Sequence, residues 1–327
     1  MKKVVDFLKS TAGMVLIVTL LAGCVVHLVT GNFWTAYNIS TLTRSAAFVI
    51  IVSFGQTLVL LTGGIDLSVA AVGSGASMVA AKMMVEQGIS PAISILASCL
   101  VGLLLGLING LFIAYLKLTP FIVTLATAEI YKGIVYIITE GTPIVGIPES
   151  AQFLANGVLG GFLPTIVIIM AVICVILALM LRYTKFGRHV YALGGNRNCA
   201  KIVGIKTERV EILVYSLAGL LAAIAGTMMA CKLASFQASI GVNWVNPTIA
   251  ASVLGGTSMT GGIGGVVGTV IGGLLNSTVS TSIVLLRVSS YWETIVTGGV
   301  VLVAVTVDAL KENPTMRDKV AHLFKRK

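Results

Sequence analysis

Apolar runs close to twenty residues long recur from one end of the chain to the other, and each can cross a hydrocarbon core of about 30 Å as a helix. No other feature constrains the fold as much, because backbone polar groups in lipid find partners only within helices or closed barrels. Divided at turn and charge signals, the runs predict about ten spans: 11–29, 45–61, 69–84, 91–115, 120–138, 164–181, 212–231, 248–262, 265–286 and 291–307. The second and third are separated by Thr62-Gly63-Gly64-Ile65-Asp66, and the eighth is short and ends in Gly261-Gly262-Ile263-Gly264-Gly265. Such breaks are tolerated at membrane depth where protein or a water-filled cavity covers them. The 36 glycines are spread through these runs, as expected where helices approach closely in a membrane. The expected fold class is an all-α integral membrane protein, with residues 1–327 forming one transmembrane domain. The apolar run after MKKVVDFLKS is too long for a signal-peptide core, and is read as the first span.

Composition narrows the function classes. The chain is 57% hydrophobic and 10% charged, against roughly 25% charged in a soluble domain, which excludes an ordinary cytosolic enzyme. Its net charge of +10 is not clustered on a soluble face with base-reading elements, so no nucleic-acid partner is expected. The five cysteines and three histidines show no metal-ligand spacing. No phosphate-binding loop and no acid/base constellation is present, so neither catalysis nor a bound cofactor is expected and energy must come from elsewhere.

Charge distribution predicts topology. With the N-terminus inside, 17 of the 22 Lys and Arg fall at the inner side, leaving Arg44, Lys82, Lys132, Lys232 and Arg287 elsewhere. An even span count returns the tail, 308–327, to the cytoplasm. The longest inner loop is 182–211, where an energy-coupling partner would dock. Leu116-Lys117-Leu118-Thr119-Pro120-Phe121-Ile122-Val123-Thr124 matches Leu286-Arg287-Val288-Ser289-Ser290-Tyr291-Trp292-Glu293-Thr294 in residue type. Each follows a glycine-spaced run, with Gly102, Gly106 and Asn109 in the first and Gly268, Gly272 and Asn276 in the second. Spans 2–5 and 7–10 would then be an inverted repeat.

Several polar residues stand out within this plan. Gly194-Gly195 suit a sharp turn, Asn196 is a good N-cap, and a short helix through Ala200 would end at Gly204. Asp66 either caps the third span with help from Ser68 or lines a gate, two compatible roles, since an intramembrane carboxylate costs about 2.5–3.5 kcal/mol on insertion scales. Glu129 and Lys132, three residues apart, suit a structural ion pair, or a polar lining of the path. Asn109, Thr124, Asn246, Ser258 and Asn276 could line a translocation path or simply pack helices.

Four segments together resemble the permeases of ribose-type (monosaccharide and related solute) ABC importers. They are Thr62-Gly63-Gly64-Ile65-Asp66-Leu67-Ser68-Val69; Phe121-Ile122-Val123-Thr124-Leu125 with Lys132-Gly133; Thr184 to Asn196 continuing through Ala200 to Gly204-Ile205; and Ile249-Ala250-Ala251 to Gly255-Gly256-Thr257-Ser258 with Gly261-Gly262. The resemblance implies a ten-helix permease in the bacterial inner membrane that forms a homodimer around a central path for a small-molecule solute. It also implies a separate ATP-binding subunit, contacted by the loop carrying Gly187, Arg188, Gly194, Gly195, Asn196, Ala200 and Gly204, and an extracytoplasmic solute-binding protein. One departure is clear: where members usually carry a Glu and an Asp, this chain has Val245 and Pro247. The rival reading is an ion-coupled secondary transporter, which needs more deep charges than Asp66 and the Glu129/Lys132 pair supply.

Overall fold

The computed structural model describes residues 10–161, 163–289 and 291–312. Residues 313–327, and with them most of the expected cytoplasmic tail and the predicted side of both termini, lie outside the described residues. In chain order the helices are α1 (Thr11–Thr30), α2 (Ala36–Leu61), α3 (Val69–Val85), α4 (Pro91–Leu116), α5 (Pro120–Thr139), α6 (Glu149–Asn156), α7 (Thr165–Tyr183), α8 (Lys185–Gly195), α9 (Arg197–Ile202), α10 (Thr207–Leu233), α11 (Val245–Leu254), α12 (Val266–Leu285) and α13 (Tyr291–Glu312). Four two-residue strands complete it: β1 (Ile144–Val145) pairs antiparallel with β4 (Ser235–Phe236), and β2 (Val158–Leu159) with β3 (Leu163–Pro164).

Among the described residues seven helices are long and apolar enough to cross a membrane: α1, α2, α4, α5, α7, α10 and α12. The sequence expectation of ten spans is thus met in part. The third runs 17 residues. The eighth, expected over 248–262, is only the ten-residue α11, because the glycines after Leu254 give it no reason to continue: Gly256, Gly261, Gly262 and Gly264 all have positive φ.

The core forms around α2, which is buried almost continuously from 46 to 61. α10 packs against α2, α3 and α4, while α11 and α12 close the other side of α2. Glycines at fourfold spacing set the closest approaches. A Cβ at Gly106 on α4 would lie 2.2 Å from the Tyr215 carbonyl oxygen on α10, and one at Gly272 on α12 would lie 2.1 Å from the Ala251 carbonyl oxygen on α11. Without a hydrophobic force between helices in lipid, such backbone-to-backbone packing is what holds a bundle together. Hydroxyls add to it: the Thr57 hydroxyl on α2 bonds Ser252 of α11 at 3.0 Å and Thr269 of α12 at 2.6 Å. By contrast α1, α4, α5 and α7 leave most of their surface uncovered, as lipid-facing helices do.

The loops sort to two ends. At one lie the 62–68 break, the α4–α5 turn, α8, α9 and the 255–265 loop; at the other lie α6, the short strand pairs and the start of α11. The α4–α5 and α12–α13 turns share a backbone feature, with Lys117 and Arg287 both left-handed at φ 53° and 54°.

Candidate functional site

Three glycine pairs meet at the first end. Leu61 closes α2, and its carbonyl accepts the Gly262 amide at 3.0 Å. Gly194, in the last turn of α8, fits against the same two groups: a Cβ there would stand 1.9 Å from the Leu61 oxygen and 2.5 Å from the Gly262 nitrogen. Gly261 touches both Gly194 and the Gly63 amide. The Tyr191 hydroxyl donates to the Gly264 carbonyl at 2.9 Å, and burial pushes that hydroxyl above its ordinary pKa, keeping it a donor. α8 is therefore fastened to both helix breaks, the one before α3 and the one after α11. This corrects the sequence expectation at Gly194-Gly195, which are not a turn. Both are helical, neither has positive φ, and nothing lies within 4 Å of a Cβ at Gly195. Gly194 is required by close approach alone.

Asn196 does cap α9, as expected: its Oδ1 accepts the Cys199 amide at 2.9 Å. Gly204 ends the segment with φ +83°, a conformation that strains residues with a Cβ. Gly187 sits where a Cβ would lie 2.1 Å from the Leu181 carbonyl oxygen, which folds α8 tightly under α7. Arg188 is exposed and reaches the Tyr183 carbonyl at 3.5 Å. Ala200 is 2% exposed, so within the loop it packs inward on its own chain. The outward surface is Ile202 and Val203, 84% and 74% exposed. α9 is held to the base of α10 by Arg197, whose two guanidinium nitrogens donate to Glu211 at 2.6 and 2.7 Å, and by Lys201 to Glu208 at 3.3 Å. Sequence reasoning missed these pairs, because nothing in the spacing of Arg197 and Glu211 is periodic. Two adjacent apolar residues inside a polar loop, Ile202-Val203, were the legible signal.

The break before α3 is stitched by a buried network. Asp66 Oδ1 accepts from the Ser68 amide at 2.8 Å and the Ser68 hydroxyl at 2.6 Å. Asn109 on α4 donates to the Ser68 oxygen at 2.8 Å, and the Tyr131 hydroxyl on α5 lies 3.4 Å from Asn109 Oδ1. Thr124 accepts the Leu67 amide at 3.1 Å. Asp66, Ser68, Asn109 and Thr124 are all buried within the chain, so the structure brings these four together, joining the break to α4 and α5. Removing one member strands the others, at about 1–3 kcal/mol for each buried group left unpaired. Asn109→Ala should therefore lower the thermal midpoint of the detergent-solubilised protein by several degrees, measurable by tryptophan fluorescence, while Asn276→Ala, at a half-buried site on α12, should change it little.

The remaining candidates are scattered. Lys132 and Glu129 do pair, at 3.4 Å, but both are exposed on the outer face of α5. Ser258 is buried in the 255–265 loop, its oxygen 2.9 Å from that of Thr260. Asn246 lies apart from all of them, exposed in a cleft of about 370 Å³ between the start of α11 and α13.

Comparison with known proteins agrees with this architecture. A family model described as "Branched-chain amino acid transport system / permease component" matches residues 38–305. The ribose import permease protein of Bacillus subtilis (strain 168) is 45% identical over 289 residues, 88% of this chain and 89% of that protein. Its counterpart in Escherichia coli (strain K12) is 36% identical over 300 residues, covering 91% and 93%. The D-allose transport system permease protein of the same strain is 32% identical, covering 85% of each. No solved structure gives a significant match. With a model matched over most of its length and relatives it covers almost end to end, the chain belongs to this family of membrane permease components.

Proposed function

We propose that the chain is the translocating subunit of an ATP-driven importer for a sugar or sugar-like solute, and that α8 and α9 couple it to a separate ATP-binding subunit. The observation that carries this reading is the junction of three glycine pairs. A short helix displaying an apolar knuckle, Ile202-Val203, is continuous with one whose end touches both helix breaks. A push on that knuckle has a rigid route into the bundle, because packed backbone cannot give way as long side chains can. A solute-binding protein would deliver the solute at the opposite end, around the strand pairs.

The finer plan follows the same lines. Both termini are placed in the cytoplasm, which puts Arg182, Lys185, Arg188, Arg197, Lys201, Lys206 and Arg209 at the inner surface. The ten-span count treats α3, α11 and α13 as the partial or remaining spans. The inverted repeat is supported by the paired left-handed residues Lys117 and Arg287 and by the glycine-spaced faces of α4 and α12. A homodimer is supported by Glu129 and Lys132, an ion pair left uncovered midway along an apolar helix, where a second copy, or a water-filled path between copies, would shelter it. In this reading Asp66, Ser68, Asn109 and Thr124 brace the gate, and Ser258 and Asn276 belong to the α11–α12 side of the path. Reconstitution tests the core of it: liposomes holding the permease, its ATP-binding subunit and its binding protein should accumulate labelled sugar only with ATP inside. Proton- or sodium-driven uptake by the permease alone would replace this reading with a secondary transporter.

A further inference from the structure

The cleft that holds Asn246 has a chemistry of its own. It is bounded on one side by Val242, Asn243, Val245, Asn246 and Pro247, leading into α11, and on the other by Glu293, Thr294, Thr297 and Gly298 of α13. Its volume, about 370 Å³, falls in the range of small-molecule sites, about 300–1,000 Å³. Val245 and Pro247, on the α11 wall, bring no charge to this cleft. A carboxylate nevertheless enters from the opposite wall: Glu293, whose Oε1 accepts a hydrogen bond from the Ser280 hydroxyl on α12. That bond fixes one oxygen and aims the residue. Two side-chain amides, Asn243 and Asn246, and two hydroxyls, Thr294 and Thr297, line the same cleft, so that its walls offer both donors and acceptors beside one acidic group.

We propose that this cleft is a solute-contact site of the permease for a neutral polyhydroxylated molecule of monosaccharide size, with Glu293 as the acceptor for paired hydroxyls and Asn246 as the facing donor. The proposal deepens the reading of the chain as a sugar permease and rests on it for the class of solute. Carboxylates and amides suit vicinal hydroxyls because each offers two hydrogen-bonding positions, whereas an apolar cleft would not discriminate a hydroxyl from its absence. The cleft sits at the end bearing the strand pairs, where a delivered solute would first meet the bundle. A carboxylate from α13 facing an amide from α11 makes the two helices jointly responsible for the solute, so that parting them would release it.

A shielding experiment tests the site without relying on transport. A cysteine at the rim, Val242→Cys, is labelled with a membrane-impermeant maleimide in the full-length protein in nanodiscs, and modification of residue 242 is followed by mass spectrometry, with Tyr37→Cys as a site outside the cleft. D-Ribose at high millimolar concentration should slow labelling at 242 at least threefold and leave 37 unchanged. Adding Glu293→Ala should remove the protection, and Glu293→Gln, which keeps the bond from Ser280, should retain part of it. ATP-driven uptake of ribose and allose by the complete transporter is measured in parallel. Uptake without shielding at 242, with Glu293→Ala transporting as wild type, overturns the site and leaves the permease reading intact. Shielding that depends on Glu293 without uptake of any sugar supports the site and removes the reading. If only the solute-free binding protein shields residue 242, the cleft is a protein contact and the proposal fails.

Discussion

Gly194→Val should abolish ATP-driven uptake, by at least twentyfold, while Gly195→Val, one residue away, should retain most of it. The contrast comes from packing alone. At 194 the first added carbon meets the Leu61 carbonyl at 1.9 Å and the Gly262 amide at 2.5 Å, both backbone atoms at the ends of other elements. Neither can move unless the junction opens, and forcing a helix off a packed neighbour costs typically 1–3 kcal/mol or more. The displaced groups include a hydrogen bond, Gly262 to Leu61, whose loss leaves a backbone pair unmatched at a helix break. At 195 an added Cβ has nothing within 4 Å and the residue is helical, so valine there costs only its modest helix propensity. Uptake by cells carrying each variant, normalised to protein in the membrane, separates the two. Equal activity would remove the junction from the account.

A second large effect is expected at the knuckle. Ile202→Asp should eliminate co-purification of the ATP-binding subunit and solute-stimulated ATP hydrolysis while the permease still inserts and folds. Ile202 and Val203 are among the most exposed apolar side chains outside the spans, and an apolar pair at a helix end in a basic surface loop marks a contact for another protein. Burying them against a partner would contribute roughly 1.5–3 kcal/mol each, and a buried unpaired carboxylate costs more than that. The companion variant Ala200→Glu should fail differently. Ala200 is packed inside its own chain, so glutamate there should destabilise α9 itself and lower the thermal midpoint, which Ile202→Asp should leave nearly unchanged. Pull-down of the tagged ATP-binding subunit and a melting curve for each variant distinguish lost docking from lost folding.

The helices were largely legible because lipid imposes a length and a polarity on every segment that crosses it. α1, α4, α5, α7 and α12 follow the apolar runs within two residues. The breaks were legible too, since Thr62-Gly63-Gly64 and Gly261-Gly262 give up helix propensity in the middle of apolar sequence. The Asn196 cap was local chemistry and could be read from a few residues. What could not be read was anything that depends on distant chain segments meeting. The placement of Gly194 against Leu61 and Gly262 makes it a contact residue and not a turn residue. Ala200 faces inward and Ile202 outward because of the angle at which α9 leaves α8, set by Arg197 and Glu211 across the loop. Asp66, Ser68, Asn109 and Thr124 could be singled out as polar residues in apolar runs, but their union in one network required knowing that α4 and α5 both flank the break. Glu293 figures in the sequence only as part of the Leu286 to Thr294 match, because a single acid near a helix start is ordinary until α13 is seen to close a cleft with α11.

Cross-linking from the knuckle tests the central claim most directly. A photoreactive residue in place of Val203, in the assembled transporter in its native membrane, should form an adduct with the ATP-binding subunit on illumination, and the yield should change when ATP is supplied. The same residue at Tyr37, at the opposite end, should give no such adduct. An assembled, transporting complex in which position 203 never cross-links to the ATP-binding subunit, or is reached instead by a reagent confined to the outside, would contradict the account.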